Sequence, residues 1–372
     1  MQTPEARLRA LHLLGQSVWL DYIRRDELHN GALARQIEAG QVRGVTSNPA
    51  IFQKAIAGST VYRPAIESLA RQGLGAEAIF EHLAVEDIQA ACDLFLPLYE
   101  RTHGGDGFVS LEVSPALARD AQATVQAALR LWRWVARPNL MIKIPGTVEG
   151  LPAIVEALAA GVNVNVTLLF SVDRYRAVMD AYLTALERRL EAGQPLDAVA
   201  SVASFFVSRV DTLVDRRLED IGSPQALALR GRIAVANAKM AYQAFKEVFA
   251  SERFARLAAS GARVQRPLWA STSTKNPAYS DIKYVAELIG PNTVNTIPPH
   301  TLEAFADHGV PRLTLETGLE EAEEALEALP GLGIDLDEVT DALEEAGVEA
   351  FIHAYHQLLE AVEQVRREAL EG

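Results

Sequence analysis

The chain's 372 residues, 49% of them hydrophobic, suffice to bury a sizeable core, which excludes disorder and suits one large enzyme-sized unit or two ordinary domains. A formal charge of -14 and a pI near 5.1 exclude a broad nucleic-acid or acidic-membrane surface, so an anionic substrate has to meet a local cluster of cations. Cys92 is the only cysteine, which excludes an internal disulfide framework and a cysteine metal cage and fits a reducing cytosol.

The opening MQTPEARLRALHLLGQ carries early charges and no long apolar run, and no later span approaches the roughly 20 apolar residues that cross a bilayer. A soluble, cytoplasmic chain is expected. Short β-branched segments then alternate with long helical-period segments, the pattern of a parallel sheet wrapped by helices. In chain order the predicted strands are SVWLDYI, QVRGVTSN, GFVSLEV, NLMIKIP, VNVNVTLLF, VASVASFF, RPLWAST and NTVNTIP. Eight is the number that closes a (β/α)8 barrel, so the fold class is α/β, a TIM barrel with additional peripheral and C-terminal helices. Helical patterns cover 60–72, 76–101, 115–136, 150–160, 171–192, 223–260 and 281–288. After Pro298-Pro299 the chain turns acidic and amphipathic over 319–329 and 336–370. Residues 1–372 therefore read as a single barrel domain, with 300–372 an outer helical tail without separate chemistry.

Side chains alternate faces along a strand, so a slip of one residue would exchange the polar and apolar sets. In VNVNVTLL, Asn163, Asn165 and Thr167 share one face and Val162, Val164, Val166 and Leu168 the other. Ser110 and Glu112 lie opposite Val109, Leu111 and Val113, and Lys143 lies opposite Ile142 and Ile144. In a barrel the apolar sets pack on the helices, while the polar ones turn inward near the C-terminal strand ends. Buried amides, a carboxylate and an amine without partners would each cost stability, so their concentration predicts a hydrogen-bonded site. Lys143 is its centre, because a primary amine attacks a carbonyl carbon only when uncharged, and loss of hydration favours that form. The plainer alternative is a lysine whose stem covers apolar surface while its head reaches water.

Four separated motifs give these residues a common meaning: GVTSNPAIF (44–52), MIKIPGTVEG (141–150), NVNVTLLFS (163–171) and WASTSTKNP (269–277). Together with SFFVSRVD (204–211), they resemble the transaldolase family in identity and order, and the tail and the WASTSTKNP form resemble its longer bacterial subgroup. The resemblance implies a lysine Schiff base on a (β/α)8 barrel, with no metal or organic cofactor. It implies transfer of a dihydroxyacetone unit from a ketose phosphate, sedoheptulose 7-phosphate or fructose 6-phosphate, to an aldose phosphate. Sugar phosphates are then the expected partners, and a homodimer stays open.

By the same resemblance Lys143 is the Schiff-base lysine, and Asp21 the acid/base that removes the C4 hydroxyl proton. Glu112 shuttles protons through a water held by Thr167. Asn48 and Asn165 grip hydroxyls of the retained three-carbon unit, Ser204 touches its terminal hydroxyl, and Thr46 and Phe206 are wall positions. Asn48 also reads as a turn residue before Pro49, and Asp21 as a surface aspartate ending a strand. Arg209 resembles the phosphate-binding arginine, with Ser271 adding a hydroxyl or backbone contact. Here the chain departs from the family's pattern: an arginine closely follows this serine in better-known members, whereas the nearest base here is Lys275. Lys275 reads as a point-charge replacement or as a solvated loop lysine.

Other features carry less. The glycosylation-like Asn165-Val166-Thr167 lies inside a predicted buried strand, and His353 and His356 share a helix face without a third metal ligand nearby. THGGDG precedes a strand instead of opening a helix and reads as a turn. Two other functions compete with transfer: a simple aldolase of the same family that releases dihydroxyacetone, and a silent barrel that binds sugar phosphates. The second could retain Arg209 and Ser271 without keeping Asp21, Lys143 and Glu112 together.

Overall fold

Eight β-branched runs pair side by side in strictly sequential order, and the eighth returns to the first to close the sheet. The computed structural model describes residues 3–371. The strands are β1 (Gln16–Asp21), β2 (Val45–Thr46), β3 (Val109–Glu112), β4 (Leu140–Pro145), β5 (Val164–Leu169), β6 (Ser201–Phe206), β7 (Arg266–Ala270) and β8 (Thr293–Ile297). Every pairing is parallel. All eight predicted strands are present. Their near-continuous apolar composition follows from burial on both faces, against the barrel interior and against the surrounding helices.

Register decides what meets at the mouth. Glu112 pairs with Lys143 across β3 and β4, and Lys143 with Asn165 across β4 and β5. Asp21 pairs with Thr46 across β1 and β2. The predicted alternation holds along β4, where Ile142 and Ile144 are sealed against the helices, and it fails once, at Leu168. That residue takes a left-handed backbone with φ 61°, where the β5–β6 pairing shifts register between Val166 and Leu169. A bulge of this kind re-aims a side chain, and Leu168 lies beside Gly347 of the last helix instead of joining the outer set.

At the opposite end of the barrel Asp106 fills a polar plug. It accepts hydrogen bonds from Ser17 Oγ (2.6 Å), Trp19 Nε1 (3.1 Å) and Arg43 Nε (2.8 Å), and Arg266 lies 3.8 Å away. THGGDG is indeed a turn, with His103, Gly104 and Gly107 all at positive φ, and its aspartate is this plug.

Helix boundaries follow local chemistry. The 76–101 pattern is one helix, Ala76–Arg101. The 115–136 pattern divides because Asp120 caps a new helix, Ala121–Val135, accepting from Ala123 N. The 223–260 pattern becomes Pro224–Leu227, Ile233–Phe249 and Glu252–Ala258, interrupted by Gly231 at φ 69° and by Ser251, whose hydroxyl caps the third piece. The helix Pro49–Ala57 was not anticipated, although Asn48 caps it by accepting from Ile51 N at 3.0 Å.

The reading of 300–372 as an outer tail needs two corrections. Pro299–His308 is the helix that follows β8, and it packs on Pro4–Leu13, where Arg7 Nη1 donates to Ala306 O at 2.7 Å. It therefore belongs to the barrel's own ring. The final helix, Leu336–Glu371, buries Val339, Leu343, Gly347, Phe351, Tyr355, Leu358 and Val362, one stripe at three- and four-residue spacing. That stripe lies over Pro49–Ala57, Arg63–Arg71 and Ser208–Ile221 and reaches the end of β5, so the helix crosses the mouth. Ion pairs Arg63–Glu368, Arg119–Glu345 and Arg174–Glu344 flank it.

Candidate active site

The inward faces of the strands converge on a cavity of about 320 Å³ at their C-terminal ends, within the size range of small-molecule sites. Asp21, Thr46, Asn48, Lys143, Ser204, Phe206, Arg209, Ser271 and Lys275 all line it. Glu112 and Asn165 flank Lys143 in register on β3 and β5, and Thr167 pairs with Pro145; Glu112 itself lines an adjoining pocket with Ser47, Asn48 and Phe52.

Lys143 is 4% exposed, which rules out the snorkelling alternative. Its Nζ donates to Ser47 O at 3.3 Å and stands 3.3 Å from Glu112 Oε2. Burial pushes the Glu112 carboxyl up to about 7, against the opposing pull of the lysine charge. Glu112 Oε1 and Thr167 Oγ1 are buried without a hydrogen-bonding partner among the described residues, while Glu112 Oε2 has the lysine nitrogen beside it. Two polar atoms so placed are available to handle a proton or hold a water. Asp21 is likewise pushed up by burial, with Lys143 and the Thr46 hydrogen bond pulling it back.

Polar partners fix what each group can still offer. Thr46 Oγ1 donates to Asp21 Oδ1 at 2.7 Å and shares a 2.6 Å contact with Thr296 Oγ1, so this wall position orients the carboxylate. Asn165 Nδ2 donates to Ser110 Oγ at 3.0 Å, and its Oδ1 accepts from Ser204 Oγ at 2.7 Å. Ser204 is left with a lone pair, and Asn165 with its second N–H. Asn48 spends its carbonyl on the helix cap, so Nδ2 is what remains for a ligand. Its turn and site readings are thus compatible.

The same cavity also gathers cations. Arg209 sits in the first turn of Ser208–Ile221 with its guanidinium 5.4 Å from the Phe206 ring, and it forms no ion pair among the described residues. Burial lowers its pKa. Lys275 donates to Ser273 Oγ at 2.6 Å and is lowered by burial, then by the charges of Arg209 and Lys54. That mutual repulsion places three cations in one neighbourhood, so Lys275 is not a detached loop lysine. Ser271, at φ 55°, shares a 2.9 Å contact with Ser208 Oγ. A helix N-terminus, a planar guanidinium and two ammonium groups make an anion site.

Sequence reasoning missed Ser47, Thr296, Lys54 and Phe351, and gave Ser110 a place on the inward face without a role. Lys54 had a legible signal, since it lies on the helix that Asn48-Pro49 starts at the mouth. Phe351 had half of one: the 347–351–355 stripe shows a buried face without showing what it covers.

A lysine enclosed with two carboxylates in a (β/α)8 barrel, beside a group of cations, is an arrangement with the chemistry for imine formation on an anionic substrate. The transaldolase/fructose-6-phosphate aldolase family model matches residues 18–362. The chain is 52% identical over 357 residues to a transaldolase of Mycolicibacterium smegmatis, covering 96% of each chain. It is 51% identical over 365 residues to one of Mycobacterium ulcerans, covering 98% of each, and 50% identical over 362 residues to one of Mycobacterium tuberculosis, covering 97% of each. The chain belongs to the transaldolase/fructose-6-phosphate aldolase family.

Proposed function

We propose that this chain is a transaldolase that carries a dihydroxyacetone unit on Lys143, from a ketose phosphate to an aldose phosphate. The observation that supports this most directly is the enclosure of Lys143 Nζ, 3.3 Å from Glu112, in the cavity that Asp21 also lines. The uncharged amine attacks the ketose C2 carbonyl, and the resulting carbinolamine must lose water to become an iminium. A carboxyl at about 7 gives or takes a proton near neutrality with little penalty, which suits Glu112 to that step, with Thr167 holding the water. Asp21, oriented by Thr46, takes the C4 hydroxyl proton as the C3–C4 bond breaks. Asn48, Asn165 and Ser204 hold the hydroxyls of the retained fragment. Arg209, Ser271, Lys275 and Lys54 meet the phosphate, the last two supplying charge where the family's arginine is missing.

No helix among the described residues is long and apolar enough to cross a membrane. The substrates that the chain's relatives imply are sugar phosphates, and fructose 6-phosphate is the donor to try first. Treating the protein with fructose 6-phosphate and borohydride should leave one reduced adduct, mapped to the peptide holding Lys143. An adduct elsewhere, or none, overturns the assignment.

A further inference from the structure

Nothing in the proposed chemistry uses Phe351, yet its ring stands 5.7 Å from Lys143 Nζ, centroid to nitrogen. It lines the same cavity as Asp21 and Arg209 and is itself 5% exposed. A water wedged in line between them would need about 2.9 Å to the nitrogen and about 3.5 Å to the ring. Those distances together exceed 5.7 Å, so the ring excludes a solvent layer from that side of the nitrogen.

The ring is held there from both sides along the helix. One turn earlier, Gly347 lets the helix approach so closely that a Cβ would lie 3.0 Å from Leu168 Cδ2 and 3.5 Å from Arg209 Nη1. One turn later, Tyr355 Oη donates to Glu77 Oε1 at 3.0 Å and its ring packs edge-on against Phe80.

We infer that Phe351 is a specificity-determining residue that keeps water from the covalent intermediate on Lys143 and so favours transfer over release. This rests on the Schiff-base reading of Lys143. After C3–C4 cleavage the three-carbon unit remains as an enamine with two fates. In transfer, its C3 forms a bond to the acceptor's aldehyde carbon, the aldehyde oxygen takes a proton, and hydrolysis of the new iminium frees the longer ketose. In release, C3 takes a proton instead, one water adds across the C=N bond, and dihydroxyacetone leaves as the amine is restored. Both routes consume one water, but only release admits it before an acceptor has reacted. Closing a site against water is the general means of protecting such an intermediate.

The test compares acceptor-independent dihydroxyacetone formation from fructose 6-phosphate with transfer to erythrose 4-phosphate, in wild type, Phe351→Ala and Phe351→Leu. The ratio of release to transfer should rise about tenfold in Phe351→Ala, equivalent to about 1.4 kcal/mol in relative barrier height. It should rise less in Phe351→Leu, which keeps most of the volume and holds the design together if the alanine variant does not fold. A merely structural role for Phe351 lowers both rates together, so an unchanged ratio in the folded variants overturns the inference. Borohydride trapping runs beside it. If wild type and variants all give the Lys143 adduct while the ratio stays flat, only the role of Phe351 falls. If wild type gives no adduct, the Schiff-base reading falls, and this inference with it.

Discussion

Glu112 and Lys143 face each other across β3 and β4 with Oε2 3.3 Å from Nζ, both buried. Burial drives the Glu112 carboxyl upward and outweighs the opposing pull of the lysine beside it. Glu112, raised to about 7, holds its proton in the folded protein across a range where an unfolded chain, near 4.5, has lost it. The folded state thus binds the extra proton between about pH 4.5 and 7, and the contribution of Glu112 to stability falls as pH rises through that window. Single-turnover adduct formation, measured from pH 5 to 9, should show an inflection near 7. Glu112→Gln should remove the inflection and slow adduct formation by about 10² to 10⁴-fold. A variant that keeps both the inflection and the rate excludes Glu112 from proton transfer.

Lys143→Ala should lose turnover by on the order of a thousandfold or more, as removal of a covalent nucleophile does. Lys143→Arg should be equally inactive although it preserves a cation, because a guanidinium does not form the imine. Circular dichroism establishes that each variant is folded. Near-normal turnover in either one refutes the nucleophile.

Arg209→Ala removes from the cavity that Lys143 also lines a half-buried guanidinium that forms no ion pair among the described residues. A charged hydrogen bond contributes about 1.5 to 3 kcal/mol, so KM for fructose 6-phosphate should rise by roughly ten- to a hundredfold. Dihydroxyacetone has no phosphate, and its trapping on Lys143 should change little. Lys54→Ala should weaken the phosphorylated donor in the same sense but by less, since its side chain is exposed. Equal losses for the two compounds exclude phosphate recognition.

Asp106→Ala takes the carboxylate partner from Arg43 and Ser17 at the closed end of the barrel and leaves Trp19 Nε1 only its 3.2 Å bond to Ser17 Oγ. Removing one partner from a buried ion pair costs about 3 to 5 kcal/mol. Urea denaturation should show a loss of that size. A loss below about 1 kcal/mol indicates that the plug is not a stabilising element.

Periodicity made the barrel legible because it is set by local chemistry: a β-branched strand buried on two faces writes itself into six residues. The inward set of Glu112, Lys143 and Asn165 followed from parity for the same reason. Parity failed at Leu168, where a register shift arises from how β5 meets β6 and not from the residues of β5 alone. Thr46 carried no local sign of its work, since only the closure of β8 onto β1 brings Thr296 beside it. Asp106 read as part of a turn because its side-chain donors Ser17, Trp19 and Arg43 lie 63 to 89 residues away. The tail was misjudged on similar grounds: amphipathicity reveals that a helix has a buried face, while the surface beneath that face is a tertiary fact.

The covering helix carries a consequence for the order in which this protein matures. Residues 336–371 follow all eight strands in chain order, so the cylinder's strands are made before its roof, and the Phe351 ring reaches its place 5.7 Å from the Lys143 nitrogen only when that stretch docks.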